Sequence, residues 1–321
     1  MQKYSKAFLA EKAKELSVPR DTLEKVFRLH DVLRFFSETE ILYDELALKG
    51  GTAINLLFFD LPRLSVDIDL DFCRLLSREE MLSARAEIKA LLGKYMSAEG
   101  YALSAKSKTP HSLDSLVYDY VNAAGMRDNI KIEINYSLRA HVLPVQKMEM
   151  KSRIVDGGFD VTIVAPLEIY AAKTVALMTR AAARDLYDLD HMVRYGLFDE
   201  KELEIYRKCV IFYLAIATNT PLLSFDFSAA DAITPRKIAA DLKPVLRNWR
   251  DFHLDEAKSN VLSFLNNTLY MREQERLFLR HFQNGQYSPE LLFEDKDILK
   301  RIEKHPMAIW KTERNKGGAE R

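Results

Sequence analysis

The sequence predicts an α/β first half joined near Ala165 to an all-helical second half. Three observations carry this. Residues Val66 to Phe72 alternate strictly between apolar and acidic, several short strand-like runs follow as far as Val164, and no convincing strand pattern occurs after Pro166. The domains implied are 1–165 and 166–321. The chain has 321 residues and 48% of them are hydrophobic, enough to bury a sizeable core and too many for a disordered chain.

In chain order, apolar residues recur at helical spacing through Tyr4 to Leu16 and from Leu23 to Phe36, the second run following Pro19 with Asp21 as a candidate N-cap. Leu46-Ala47-Leu48 reads as a short buried strand, broken by Gly50-Gly51. Thr52 to Phe59 has helical spacing and is closed by Leu61-Pro62. In Val66 to Phe72 the apolar residues Val66, Ile68, Leu70 and Phe72 share one side, and Asp67, Asp69 and Asp71 the other, as a half-buried strand requires. Arg78 to Met96 reads as a helix. Tyr101 to Ala105, Leu116 to Val121 and Ile130 to Tyr136 read as strands, and Asp156-Gly157-Gly158 as a turn before the strand Phe159 to Val164. Pro166 suits a first helical position. Helical patterns then cover Leu167 to Thr179, Arg184 to Tyr195, Glu202 to Thr218, Arg236 to Leu246, Glu256 to Arg280 and Pro289 to Ile302, with a frayed tail from Lys311 to Arg321.

The 47 basic and 47 acidic residues balance, so no global field attracts nucleic acid or an anionic membrane, and any polyanion must meet a local basic patch. Apolar stretches such as Val210 to Ala217 are too short to span a bilayer. The opening Met1-Gln2-Lys3-Tyr4-Ser5-Lys6 leads into no apolar signal segment, and two cysteines, Cys73 and Cys209, lie far apart. The expectation is a cytoplasmic protein with no membrane partner.

Asp67 and Asp69, two apart on a strand, emerge on one face with Cα atoms about 6.5 Å apart, so both reach one hard cation. Glu133, alternating with Ile132 and Ile134, supplies a candidate third carboxylate. Two-metal phosphoryl-transfer sites need such a set. The plain alternative is a sheet face in water, with Asp71 as the exposed end of the acidic row. Upstream, Lys49-Gly50-Gly51-Thr52 places two glycines between strand and helix, where backbone N–H groups and the Thr52 hydroxyl suit a triphosphate; the alternative is an ordinary turn. Lys173 and Arg180, seven apart, share a helix face, either for phosphate or as a solvated basic face. Arg184 is placed to pair with Asp188 across one turn, and Asp185 to favour the helix dipole.

The order strand, Gly-Gly-Thr, short helix, Arg63-Leu64-Ser65-Val66-Asp67-Ile68-Asp69, then a later strand bearing Glu133 resembles the DNA polymerase β-like nucleotidyltransferase superfamily. Within it, Leu48-Lys49-Gly50-Gly51-Thr52-Ala53-Ile54-Asn55-Leu56, the Arg63-to-Leu70 run, Lys131-Ile132-Glu133, and Lys173 through Arg180 to Arg184-Asp185-Leu186-Tyr187-Asp188-Leu189 look like the AbiEii toxin family. That resemblance implies a mixed-sheet nucleotidyltransferase core, with the helical domain contributing Lys173 and Asp188 to the cleft. It implies that Asp67, Asp69, Lys173 and Asp188 are catalytic and that Asp67, Asp69 and Glu133 hold two Mg²⁺ ions. Lys49, Gly50, Gly51, Thr52, Arg63, Ser65, Arg180 and Arg184 would bind the nucleotide. The resemblance also implies that Ser65 is where the protein can be inactivated by phosphorylation, and Glu133 stands where many relatives carry Asp.

The activity implied is transfer of an NMP from an NTP to an acceptor hydroxyl, a tRNA 3′ end, by the toxin of a toxin–antitoxin or phage-defence pair with a cognate antitoxin as partner. Two other readings remain at this point: a non-catalytic nucleotide- or partner-binding member of the fold, and a phosphohydrolase with Asp67 as nucleophile. The latter would generally place the pair near the start of the domain with a small or hydroxyl residue soon after, whereas here Leu70-Asp71-Phe72 follows and the glycine turn comes before the pair. An RNA acceptor needs further cations. Candidates are Arg139, His141, Lys147, Lys151 and Arg153, and the stretch with Arg236, Lys237, Lys243, Arg247 and Arg250 near Trp249.

Overall fold

The computed structural model describes residues 4–59, 62–150, 158–218, 224–247 and 249–319. Leu61, the Asp156-Gly157 part of the expected turn, and Lys151 and Arg153 of the first basic group lie outside them. The chain divides into two compact units: one comprises 1–139, 145–163 and 245–248, the other 140–144, 164–244 and 249–321.

The first unit opens with α1 (Lys6–Leu16) and α2 (Arg20–Ser37). The Ser5 hydroxyl caps α1 by accepting from the Phe8 N–H, and Phe8 and Tyr4 pack their rings on Phe27 of α2. Helix α2 starts one residue before Asp21, with Pro19 as N-cap, so Asp21 sits in the first turn where its charge favours the helix dipole. A short α3 (Glu40–Glu45), not foreseen from the sequence, leads into β1 (Leu46–Lys49). Then α4 (Gly50–Ala53) begins on the glycines themselves and widens into a π-helical turn over Ile54–Phe58. After β2 (Asp67–Phe72) comes α5 (Arg78–Ala98), whose Ser77 and Glu80 form a capping box. The strands β3 (Ala102–Leu103), β4 (Leu113–Val121), β5 (Arg127–Asn135), β6 (Gln146–Met150) and β7 (Phe159–Ile163) complete the unit.

The sheet order is β3-β4-β5-β2-β1-β7-β6. Pairs β5/β2 and β1/β7 are parallel and the rest antiparallel, so the sheet is mixed, as expected. Ile68, Leu70, Phe72, Ile130, Ile132 and Ile134 are buried on the apolar face that the alternation placed there. Strand β6 carried no signal, because an edge strand paired only with β7 needs little apolar alternation.

The second unit is helical: α6 (Pro166–Arg180), α7 (Ala183–Tyr195), α8 (Glu200–Ala217), α9 (Ser228–Asp231), α10 (Pro235–Asp241), α11 (Leu254–Thr268), α12 (Glu273–Gln283), α13 (Lys296–Ile302) and α14 (Pro306–Ala319). Helix α6 packs on α8 and α7, and α7 on α11. Buried polar groups pin these contacts. Glu168 accepts from the N–H groups of Val142 and Leu143 and from the Tyr213 hydroxyl, and the Thr174 and Tyr206 hydroxyls bond at 2.5 Å.

Three expectations are corrected here. The single helix expected over Glu256 to Arg280 is two. Glu275, held by buried Arg207 at 2.6 Å, accepts the Arg272 N–H and starts α12 afresh. The helix expected to run to Leu246 stops at Asp241, because Pro244 cannot continue it and the backbone of Val245 and Leu246 pairs instead with Leu64 and Arg63. The tail expected to fray from Lys311 is helical to Ala319, and the buried Lys311 ammonium donates to the carbonyls of Ile216 and Thr218 at the end of α8.

Candidate functional site

Strand register sets the first group of site residues. Lys49 on β1 lies opposite Asp69 on β2, and Asp69 lies opposite Glu133 on β5. The same face of β2 carries Asp67, opposite Lys131, and Asp71, opposite Asn135. Lysines thus alternate with the carboxylates across three strands, and two pairs close: Lys49 Nζ to Asp71 Oδ1 at 2.5 Å and Lys131 Nζ to Glu133 Oε1 at 3.0 Å. Asp71, expected at the exposed end of the row, is only 3% exposed. It lies inside the sheet beside Ala47 and is neutralised by Lys49, which burial of a carboxylate demands.

Glycine is required at the turn for two separate reasons. Gly50 has φ +69°, and a Cβ there would meet Asp69 Oδ2 at 2.7 Å. The Asp69 carboxylate therefore sits directly against the Gly50 backbone. At Gly51 a Cβ would meet an Arg63 guanidinium nitrogen at 2.5 Å. Arg63 is almost wholly buried, its backbone N–H donates to Asn55 Oδ1 and its guanidinium to the Leu64 carbonyl. Thr52, expected to offer its hydroxyl to phosphate, is fully buried instead. It bonds the Ser65 hydroxyl at 2.8 Å and donates to the Asp67 carbonyl, tying the glycine turn to the start of β2. Thr52 thus positions Asp67 through the backbone, while Ser65 stays partly exposed.

Asp67 and Asp69, hard oxygen donors on one sheet face and each partly open to solvent, fit a divalent cation by donor chemistry. The third expected ligand, Glu133, is next to Asp69 in register, but its carboxylate is engaged by Lys131. Among the described residues no group of three or more His, Cys, Asp or Glu side chains is arranged to hold a metal ion. Lys131, two residues before Glu133 in the Lys131-Ile132-Glu133 run, shares its face as the alternation requires; the ion pair between the two was not legible in the sequence.

The second group lies within the helical unit. Lys173 on α6 is 9% exposed, and its ammonium reaches Asp185 Oδ1 at 2.9 Å and Asp188 Oδ2 at 2.8 Å on α7. This burial excludes the solvated basic face as a description of Lys173. Arg180 is mostly exposed and holds the other Asp185 oxygen through two nitrogens at 3.0 and 2.8 Å. Arg184, expected to pair with Asp188, turns to α10 and donates to the Asp241 carbonyl at 2.9 Å. Asp188 is engaged instead by the buried Lys173.

A family model described as the nucleotidyl transferase AbiEii toxin of a type IV toxin–antitoxin system matches residues 34–260. No curated protein sequence matches. The fold is similar to that of MenT4, a nucleotidyltransferase toxin from Mycobacterium tuberculosis H37Rv, at a TM-score of 0.63 and 16% identity, covering 94% of this chain and 98% of that one. No helix among the described residues is long and apolar enough to cross a membrane.

Proposed function

The chain belongs to the AbiEii nucleotidyltransferase toxin family, and on that premise we propose that it moves an NMP from an NTP to an acceptor hydroxyl, the 3′ end of a tRNA. The observation that carries this is the row Lys49, Asp69, Glu133 with Asp67 beside it on the same face, closed at one end by the Gly50-Gly51 turn. In this reading Asp67 and Asp69 would hold Mg²⁺, and Glu133 would serve as a further donor only by exchanging its ion pair with Lys131 for the metal. The chemistry supplied there is neutralisation of phosphate charge and activation of the attacking hydroxyl. Gly50 lets the Asp69 carboxylate approach the backbone, Thr52 fixes the start of β2, and Lys49, paired with Asp71, stands on the same face as Asp69. Lys173 and Asp188 have roles implied by the family pattern, Lys173 toward phosphate, and their mutual ion pair fixes both before substrate arrives. Arg180 and Arg184 add positive charge near that pair. A cognate antitoxin is the partner this reading entails.

The test uses α- and γ-labelled NTPs with total tRNA and Mg²⁺. Transfer of an NMP labels RNA from the α position alone. Absence of α-label transfer with all four NTPs, or undiminished transfer by Asp67→Ala, would overturn the proposal.

A further inference from the structure

We propose that the surface around Trp249 binds single-stranded RNA, taking a base against the indole and phosphates on the surrounding cations. This deepens the RNA-acceptor reading above and rests on it. Trp249 is 47% exposed, so about half of its side chain is open to a partner. Lys243 Nζ stands 3.8 Å from its ring centroid and the Arg250 guanidinium carbon 5.9 Å. The cations continue along the neighbouring helix. Arg236 is exposed, Lys237 reaches the Arg180 carbonyl at 3.3 Å, and Arg184 reaches the Asp241 carbonyl, which gathers α10 and the ends of α6 and α7 into one basic face of the helical unit. Its acidic groups, Asp185 (which holds Arg180), Asp241 and Asp251, are fewer than its cations, Arg180, Arg184, Arg236, Lys237, Lys243 and Arg250.

In a chain of zero net charge such a local excess is the only way to hold a polyanion. An aromatic ring among cations matches single-stranded nucleic acid better than an acidic protein, because every base offers a π-face to stack while a carboxylate has no use for the indole. The other candidates are weaker. Lys147 is occupied by Asp44 and the Tyr43 ring, His141 is buried, and Trp310 has one cation, Arg314, at 5.5 Å.

The chain has two tryptophans, so Trp310→Phe in the full-length protein leaves Trp249 as the sole reporter. Titration with a 12-nucleotide oligouridylate, without NTP, is expected to quench its fluorescence saturably. In anisotropy with the labelled oligonucleotide, Trp249→Ala weakens binding about tenfold. Lys243→Gln with Arg250→Gln flattens the salt dependence by about 0.7 per lost contact. No quenching, an unchanged Kd in Trp249→Ala, or equal quenching by polyglutamate overturns the proposal. Quenching without α-label transfer by wild type would sink the transferase reading alone, and transfer without quenching would sink this one alone.

Discussion

Replacing Lys173 with methionine tests the second site group most directly. The ammonium is buried and lies 2.9 and 2.8 Å from two carboxylates that are themselves buried, those of Asp185 and Asp188. Asp185 retains Arg180, whereas Asp188 loses its Lys173 partner. Breaking a buried pair from one side costs about 3–5 kcal/mol, because the remaining carboxylate keeps its desolvation cost without the ammonium that offset it. At roughly 2–4 °C per kcal/mol for a unit of this size, the helical unit should melt about 6–20 °C lower. Lys173→Met with Asp188→Asn removes both charges, and the double variant should recover at least 2 kcal/mol of the summed single costs. Urea unfolding followed by circular dichroism measures all three variants. A Lys173→Met protein within 1 kcal/mol of wild type, or strict additivity in the cycle, would refute the reasoning. The result also governs how toxicity is read. Relief of growth arrest by Lys173→Ala speaks for a role in the reaction only when the variant is shown to be folded at the assay temperature.

Gly50→Ala should lose about 1–3 kcal/mol from its left-handed backbone and displace the Asp69 carboxylate; a folded variant with wild-type transfer would contradict the close approach. Gly51→Ala should be destabilised for a different reason, the collision with buried Arg63, and Arg63→Ala in the same chain should relieve part of it in thermal melts. His30 on α2 is 1% exposed, touches the Phe159 ring edge-on, and has no hydrogen-bond partner on either ring nitrogen among the described residues. Burial, aided by the Arg34 charge and opposed by Asp31, pulls its pKa from 6.5 down to about 4. The folded state therefore favours the neutral ring: its contribution is complete above pH 6.5 and is lost as the pH falls toward 4, by about 3 kcal/mol in all. His30→Leu should remove that part of the acid dependence in urea titrations at pH 7 and pH 4.5, and an unchanged pH slope would count against it.

Much of the candidate site was legible because β-strand alternation is local. Asp67 and Asp69 had to share a face once Ile68 and Leu70 were committed to the core, and Gly50-Gly51 marked a backbone that no side chain could follow. The partners of these residues were not legible. Which lysine neutralises which carboxylate depends on strand register, and nothing in the sequence distinguishes Lys49 on Asp71 from Lys49 on Asp69. Thr52 was read as a ligand group for the same reason: a hydroxyl after two glycines looks available until β2 returns beside it and the Asp67 carbonyl accepts its hydrogen bond.

The sequence by itself determined the α/β-then-helical order, the apolar face of the sheet and the acidic pair, since each follows from residue periodicity along a continuous segment. Only the tertiary structure decided where α11 ends and α12 begins, that Val245 and Leu246 return to the first unit, that Asp71 is buried, and that Lys173 is shared between Asp185 and Asp188. These outcomes depend on groups far apart in the chain that meet only after folding. A carboxylate or ammonium withdrawn from water takes whichever partner the packed backbone brings within about 3 Å, whatever its position in the sequence.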